Sequence, residues 1–152
     1  MTTTQTLQVL QLDLPSDDDR SARAASLRSR DAVQEGDKER WLALFTEDGL
    51  VADPVGPSVF DESGNGHRTA EQRAAFWDSA IAPNRVHMDI YRSHACANQV
   101  ANVATVITTL GDGSQAEIDI VAVYTVEEST GLIESMRVYW EMEAMRFRAP
   151  GD

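Results

Sequence analysis

Residues 115–126 alternate without a break: Ala116, Ile118, Ile120, Ala122, Tyr124 and Val126 fall on one side, Gln115, Glu117, Asp119, Val121, Val123 and Thr125 on the other. A side-chain period of two belongs to a β-strand, so the even-numbered residues face a core. Gly111-Asp112-Gly113-Ser114 and Glu128-Ser129-Thr130-Gly131 bracket the stretch and read as hairpin turns. Strands are therefore expected at 85–94, 99–110, 115–126 and 132–146, the last with Met136, Val138, Trp140 and Met142 opposite Ser135, Arg137, Tyr139 and Glu141. A meander with one apolar face must be covered by something.

The N-terminal half supplies the cover. Residues 1–15, with Leu7, Leu10, Leu12 and Leu14 before Pro15, read as a flexible arm or a short edge strand, and residues 16–149 as one domain. Ser16 followed by Asp17, Asp18 and Asp19 predicts a helix start, with Ala22, Ala25, Ser29, Ala32 and Val33 on one face and Gly36 as the stop. Asp37 caps a second, short helix whose Trp41, Leu44 and Phe45 share a face, and Thr46-Glu47-Asp48-Gly49 ends it. A short strand then carries Asp53. Residues 57–68 are rich in Pro, Ser, Gly, Asn and Asp and predict a surface loop able to cover a pocket. Thr69 with Gln72 forms a capping box for a third helix, lined by Ala75, Phe76, Ser79 and Ala80 and stopped at Pro83-Asn84. The expected class is α+β, with N-terminal helices packed on the concave face of a curved antiparallel sheet.

Charge narrows the function. Twenty-five acids against 13 bases give a net charge of −12, a field that repels phosphate backbones and anionic lipid, so neither nucleic acid nor a membrane surface is expected as a partner. Cys96 is the single cysteine, which excludes an intrachain disulfide, suits a cytoplasmic location and reads as a small buried residue. The start of the chain lacks the basic and apolar segments of a secretory signal. The longest apolar runs, Trp41 to Phe45 and Ile120 to Tyr124, are far too short to span a bilayer. His67, His87 and His94 have no metal-ligand spacing, so no metal is expected, and His67-Arg68 reads as a solvated loop end. Gly64-Asn65-Gly66 lacks the context of a phosphate loop, and Ser58 that of a nucleophile elbow.

The stretch Val51-Ala52-Asp53-Pro54-Val55-Gly56 holds a carboxylate at a strand end. Proline stops the ladder beside it, and strand-end loops often carry function; Asp-Pro is also ordinary turn chemistry, and local sequence leaves both readings open.

From about Ala32 to Phe147 the chain resembles the nuclear transport factor 2-like superfamily, and within it ketosteroid isomerase-like (SnoaL-like) proteins. The residues that carry the resemblance are Gly36-Asp37, Trp41 to Phe45, Asp53 to Gly56, Phe76-Trp77, Ala82 to Arg85, Gly131, Ser135 to Arg137 and Tyr139-Trp140. It implies a cone-shaped α+β barrel and Asp53 as the general base that moves a proton between C4 and C6 of a 3-ketosteroid. It also implies a tyrosine and a neutral carboxylic acid on the developing oxyanion. Ser29 stands where that tyrosine would, and Ala122 where the acid would; Asp119, an odd number of positions away, faces the other side of the sheet. Substitute donors on the core face are the Tyr124 hydroxyl, the Trp140 indole N–H, and Ser29 through a water.

The expected catalytic residues are thus Asp53 and Tyr124, and the expected substrate wall is Trp41, Phe45, Val55, Phe76, Trp77, Ala122, Met136, Val138 and Trp140. No cofactor is expected. The expected ligand is steroid-like or polycyclic. The alternatives are a polyketide cyclase-like enzyme and a non-catalytic binding protein. The resemblance further implies a homodimer across the outer sheet face at Arg137, Tyr139 and Glu141.

Overall fold

In the computed structural model, which describes residues 7–151, the chain runs α1 (Ala22–Glu35), α2 (Lys38–Leu42), β1 (Phe45–Ala52), α3 (Ala70–Phe76), a π-helical turn (Trp77–Ile81), β2 (Arg85–Cys96), β3 (Gln99–Thr109), β4 (Gln115–Val126), β5 (Ile133–Tyr139), a 3-10 turn (Met142–Ala144) and β6 (Arg146–Arg148). The helices cover one face of a curved, mostly antiparallel sheet of order β1-β5-β4-β3-β2, with β6 paired to β4. The alternation along β4 is borne out: Ile118, Ile120, Ala122, Tyr124 and Val126 are all buried, while Val121 is open to solvent.

α1 begins later than expected. Ser21 is its cap, accepting from the Ala24 N–H at 3.1 Å. Ser16 to Asp19 instead close as a turn, with the Ser16 and Asp19 carbonyls held by the Arg28 guanidinium. Gly36 ends the helix at φ 68°, a left-handed position that favours glycine. Ala22, Ala25, Ser29 and Ala32 are buried, and their small size lets α1 lie close on β2, β3 and β4. Asn102 on β3 pins the contact by donating to the Ser26 hydroxyl at 3.0 Å.

Two expectations about the sheet are corrected. Thr46 to Gly49 do not separate the helix from the strand: they lie inside β1 as an irregular bulge between Phe45, which faces Ile133 on β5, and Leu50, where the parallel register with β5 resumes at Ser135. Gly49 permits the close approach, because a Cβ there would lie 2.9 Å from the Ile133 carbonyl oxygen. Nor does the last strand run to 146. β5 stops at Tyr139, and β4 is then taken over by β6. Val121 faces Tyr139 and Glu117 faces Arg146, so four positions on β4 match seven on its neighbours. The 3-10 turn takes up the three extra residues. Met142, expected on the core face, is consequently exposed, and Trp140 leaves the strand.

α3 starts with the expected capping box, Thr69 and Gln72 bonding reciprocally. Its buried face differs from expectation: Ala75 is exposed, while Arg73, Phe76 and Trp77 are buried. Arg73 donates to the carbonyls of Gly49, Arg68 and Glu47, tying the helix to β1. Cys96, expected to be buried, is exposed at the end of β2. His67 is not a solvated loop end, since it exchanges both backbone bonds with Val51 and lays its ring 5.1 Å from Phe76. Residues 1–6 of the expected arm lie outside the described residues. Its remainder forms no strand, although the Leu10 N–H bonds the Ile90 carbonyl at 2.8 Å.

Candidate active site

Register places the site. Met136 on β5 faces Tyr124 on β4 and Val51 on β1, and Val138 faces Ala122. Asp53 follows β1 by one residue, and the Val55 N–H beyond it bonds the Val138 carbonyl at 2.9 Å. Asp53 therefore falls beside Val138 and Ala122, one row along from Tyr124 and two strands away. That is about 10 Å across the sheet and about 7 Å along it by ordinary strand spacing.

Between them opens a cavity of about 460 Å³, a size usual for small-molecule sites. Its wall includes Asp53, Tyr124, Trp41, Phe76, Ala122, Met136, Val138 and Trp140. Phe60 joins it from the 57–68 loop, its ring edge-on to Phe76 at 6.1 Å. Three residues expected on the wall are not there. Phe45 and Trp77 are buried behind Trp41, at ring distances of 4.8 and 5.4 Å, so they hold its indole without reaching the cavity. Val55 is turned outward to a groove on the other side of the sheet, because the Asp53-Pro54 turn has reversed the alternation.

Two hydrogen-bonded sets of polar groups lie on the wall, one at Asp53 and one at Ser29. The Trp140 indole donates to Asp53 Oδ1 at 2.7 Å. Burial raises the Asp53 carboxyl to about 6, although the indole bond pulls the other way. Oδ2 makes no protein hydrogen bond among the described residues. Asp53 is half-buried and lines the cavity.

Across the cavity, the Trp41 indole donates to Ser29 Oγ at 3.1 Å, and the Tyr124 hydroxyl lies 3.3 Å from the same oxygen. If Tyr124 donates, Ser29 accepts twice and its own proton is left over; if Ser29 donates, the Tyr124 proton is left over. Either way this pair offers one more proton than the described residues accept. Burial pushes the Tyr124 hydroxyl up to about 12, with the Ser29 bond lowering it and the charge of Asp53 raising it further. It stays protonated at neutral pH, a donor and not a base. The arrangement can thus accept a proton at Oδ2 and stabilise negative charge on an oxygen some distance away.

Sequence reasoning missed Phe60, Met88, Val106 and Arg30, all on the wall. Arg30 had no distinguishing signal in the sequence, since Ser29 is flanked by arginines on both sides, Arg28 and Arg30.

Residues 27–136 match the SnoaL-like domain family. No curated protein sequence matches the chain. Among solved structures, a Delta 5-3-ketosteroid isomerase from Mycobacterium sp. is similar at 37% identity, covering 84% of this chain and 98% of that one, with a TM-score of 0.79. RV0760c from Mycobacterium tuberculosis is similar at 34% identity in a complex with estradiol-17beta-hemisuccinate, covering 83% and 98%, with a TM-score of 0.77. A computationally designed 17-OHP binder is similar at 30% identity, covering 84% and 97%, with a TM-score of 0.79.

Proposed function

The chain belongs to the SnoaL-like domain family, and from that premise we propose that it isomerises a steroid-like or polycyclic ketone by proton transfer at carbon, with Asp53 as the general base. One observation carries the reading: among the described residues Asp53 is the only carboxylate on the wall of an apolar cavity, its Oδ1 held by Trp140 and its carboxyl raised to about 6. A base with that value is roughly nine-tenths ionised at pH 7 yet basic enough to take a proton from a carbon beside a carbonyl. The similar ketosteroid isomerase supports this chemistry, and the similar proteins whose structures name steroid ligands support the ligand class.

In this mechanism Asp53 Oδ2 removes the proton next to the carbonyl. The electron pair moves into a dienolate, whose oxygen takes the surplus proton donor of the Ser29–Tyr124 pair. The Trp41 N–H, donating into Ser29, polarises that pair. At 3.3 Å the bond between the two hydroxyls is long, so either proton is easily diverted to a substrate oxygen. Asp53 then returns its proton to the far carbon of the dienolate. Trp140 keeps the carboxylate aimed throughout.

Asp53→Asn keeps the shape and removes the base. It should lower kcat for a Δ5-3-ketosteroid by about 10²–10⁴-fold, the usual contribution of a general base. Steroid affinity should stay nearly unchanged. Undiminished turnover would refute the assignment.

A second reading, a binding protein that does not turn its ligand over, is favoured by Ala122. It presents a methyl group to the cavity where a second oxyanion donor would stand, and one such donor is worth about 3 kcal/mol of barrier. Tight binding of a phenolic steroid with no isomerisation of a ketosteroid would select it.

A further inference from the structure

The proposed reaction employs one charged group of the cavity wall, and the wall holds a second. Among the described lining residues, Asp53 and Arg30 are the charged ones. They belong to opposite edges of the sheet. Asp53 follows β1, while Arg30 reaches from α1 toward β2. Its Nη2 donates to the Leu12 carbonyl at 2.9 Å, two residues after Leu10, whose N–H bonds Ile90 on β2.

Arg30 is also underemployed. Arg73 is engaged by three carbonyls, and Arg146 by the carboxylates of Asp119 and Glu117. Among the described residues no carboxylate pairs with Arg30 and only the Leu12 bond engages it; its enclosed Nε, like that of Arg73, meets no acceptor. A guanidinium offers five donors, so holding Leu12 accounts for a fraction of its capacity. A cation kept without a counter-charge beside apolar surface is costly, and an entering anion offsets that cost.

We propose that Arg30 receives a carboxylate at the far end of the ligand. The substrate class is then a keto acid with a flat apolar body, its ketone between Asp53 and Tyr124 and its carboxylate on Arg30. This rests on the reading of Asp53 given above. A guanidinium suits a carboxylate because the two form paired, charge-assisted hydrogen bonds. The rest of the chain makes the choice sharper. At −12 overall the protein repels anions, so an acid is retained only where this one cation meets it.

The test is calorimetric titration of two matched pairs: 3-oxo-4-androstene-17β-carboxylic acid with its primary amide, and 3-oxo-4-cholenoic acid with its amide, whose carboxyl sits on a longer arm. The wild type should bind at least one acid tenfold or more tightly than its amide, with the preference shrinking as salt rises. Arg30→Met should lower that acid to the affinity of its amide, and Arg30→Lys should keep part of the preference. Circular dichroism checks that both variants fold, and the salt series on the wild type stands without them. No preference in either pair, or a preference that survives Arg30→Met, overturns the proposal while leaving Asp53 untouched. Failure of all four compounds to bind overturns both.

Discussion

Asp53 should make the protein less stable as it becomes competent. In the unfolded chain its carboxyl ionises near 3.8; in the folded one, burial delays this to about 6. Below both values it is neutral in either state and has no effect. Between them only the unfolded state ionises, so stability falls as pH rises. Above about 6 the loss is complete, at about 3 kcal/mol from the difference between the two values. Asp53→Asn removes the titration and keeps an oxygen for the Trp140 N–H. The variant should match the wild type near pH 4, apart from a constant offset. By pH 8 it should have gained about 2.5 kcal/mol on it, since at pH 4 the unfolded carboxyl is already partly ionised, or about 5–10 °C in Tm for a domain of this size. Urea unfolding of both proteins at each pH from 4 to 8 measures the difference, and the many other titrating groups cancel in it. A difference that stays flat across that range would show that the carboxyl is solvated in the folded protein, and the case for a poised base would go with it.

Tyr124→Phe and Ser29→Ala each leave the other hydroxyl with a free proton, so each alone should lower kcat by less than the roughly 10²–10³-fold of a lost oxyanion donor, which the double variant should show in full; a single variant as impaired as the double in steady-state kinetics would mean that only that hydroxyl is the donor. Trp140→Phe removes the bond that lowers the Asp53 carboxyl, so the acid limb of the kcat/KM profile should move above pH 6, and an unmoved limb would count against that bond. We also propose that the outer sheet face, where Val121 and Tyr139 are 38% and 47% exposed, carries the homodimer contact. Light scattering should give twice the chain mass, and Tyr139→Glu should halve it; a wild-type monomer at micromolar concentration would end that proposal.

The fold was legible wherever one physical signal acted alone. Strand β4 has a buried face and a wet face, so its alternation is clean, and the caps at Asp37 and Thr69 are local hydrogen bonds that need no tertiary partner. The sequence misled where a distant partner decided. Thr46 to Gly49 have turn composition, yet they stay within β1 as a bulge because Phe45 and Leu50 on either side are held by β5, and Gly49 allows it by having no side chain to collide with Ile133. Residues 140–145 keep the period of two on paper. Whether they continue a strand depends on β6 claiming the far end of β4, which alternation cannot express.

The site divides along the same line. Asp53 was legible because Pro54 and Gly56 mark its position along the chain itself. Tyr124, Trp140 and Ser29 were also named as donors, but not what each one bonds, because that depends on which oxygen a donor meets across the fold: the Trp140 N–H, expected for a ligand oxygen, is spent on Asp53. Comparison position by position registers Ser29 as the loss of a tyrosine from α1. In three dimensions a tyrosine hydroxyl is still present, 3.3 Å from Ser29 Oγ, now reaching in from β4. The two hydroxyls meet because α1 packs on β4, and the small buried residues of the helix, Ala22, Ala25 and Ala32 among them, let it lie close to the sheet. Bulk on that helix face should therefore disable the donor pair without touching either hydroxyl. Ala25→Val tests this: with the fold retained by circular dichroism, it should lower kcat while leaving the acid limb set by Asp53 in place. Unchanged turnover in a folded Ala25→Val variant would mean that helix placement does not govern the donor pair.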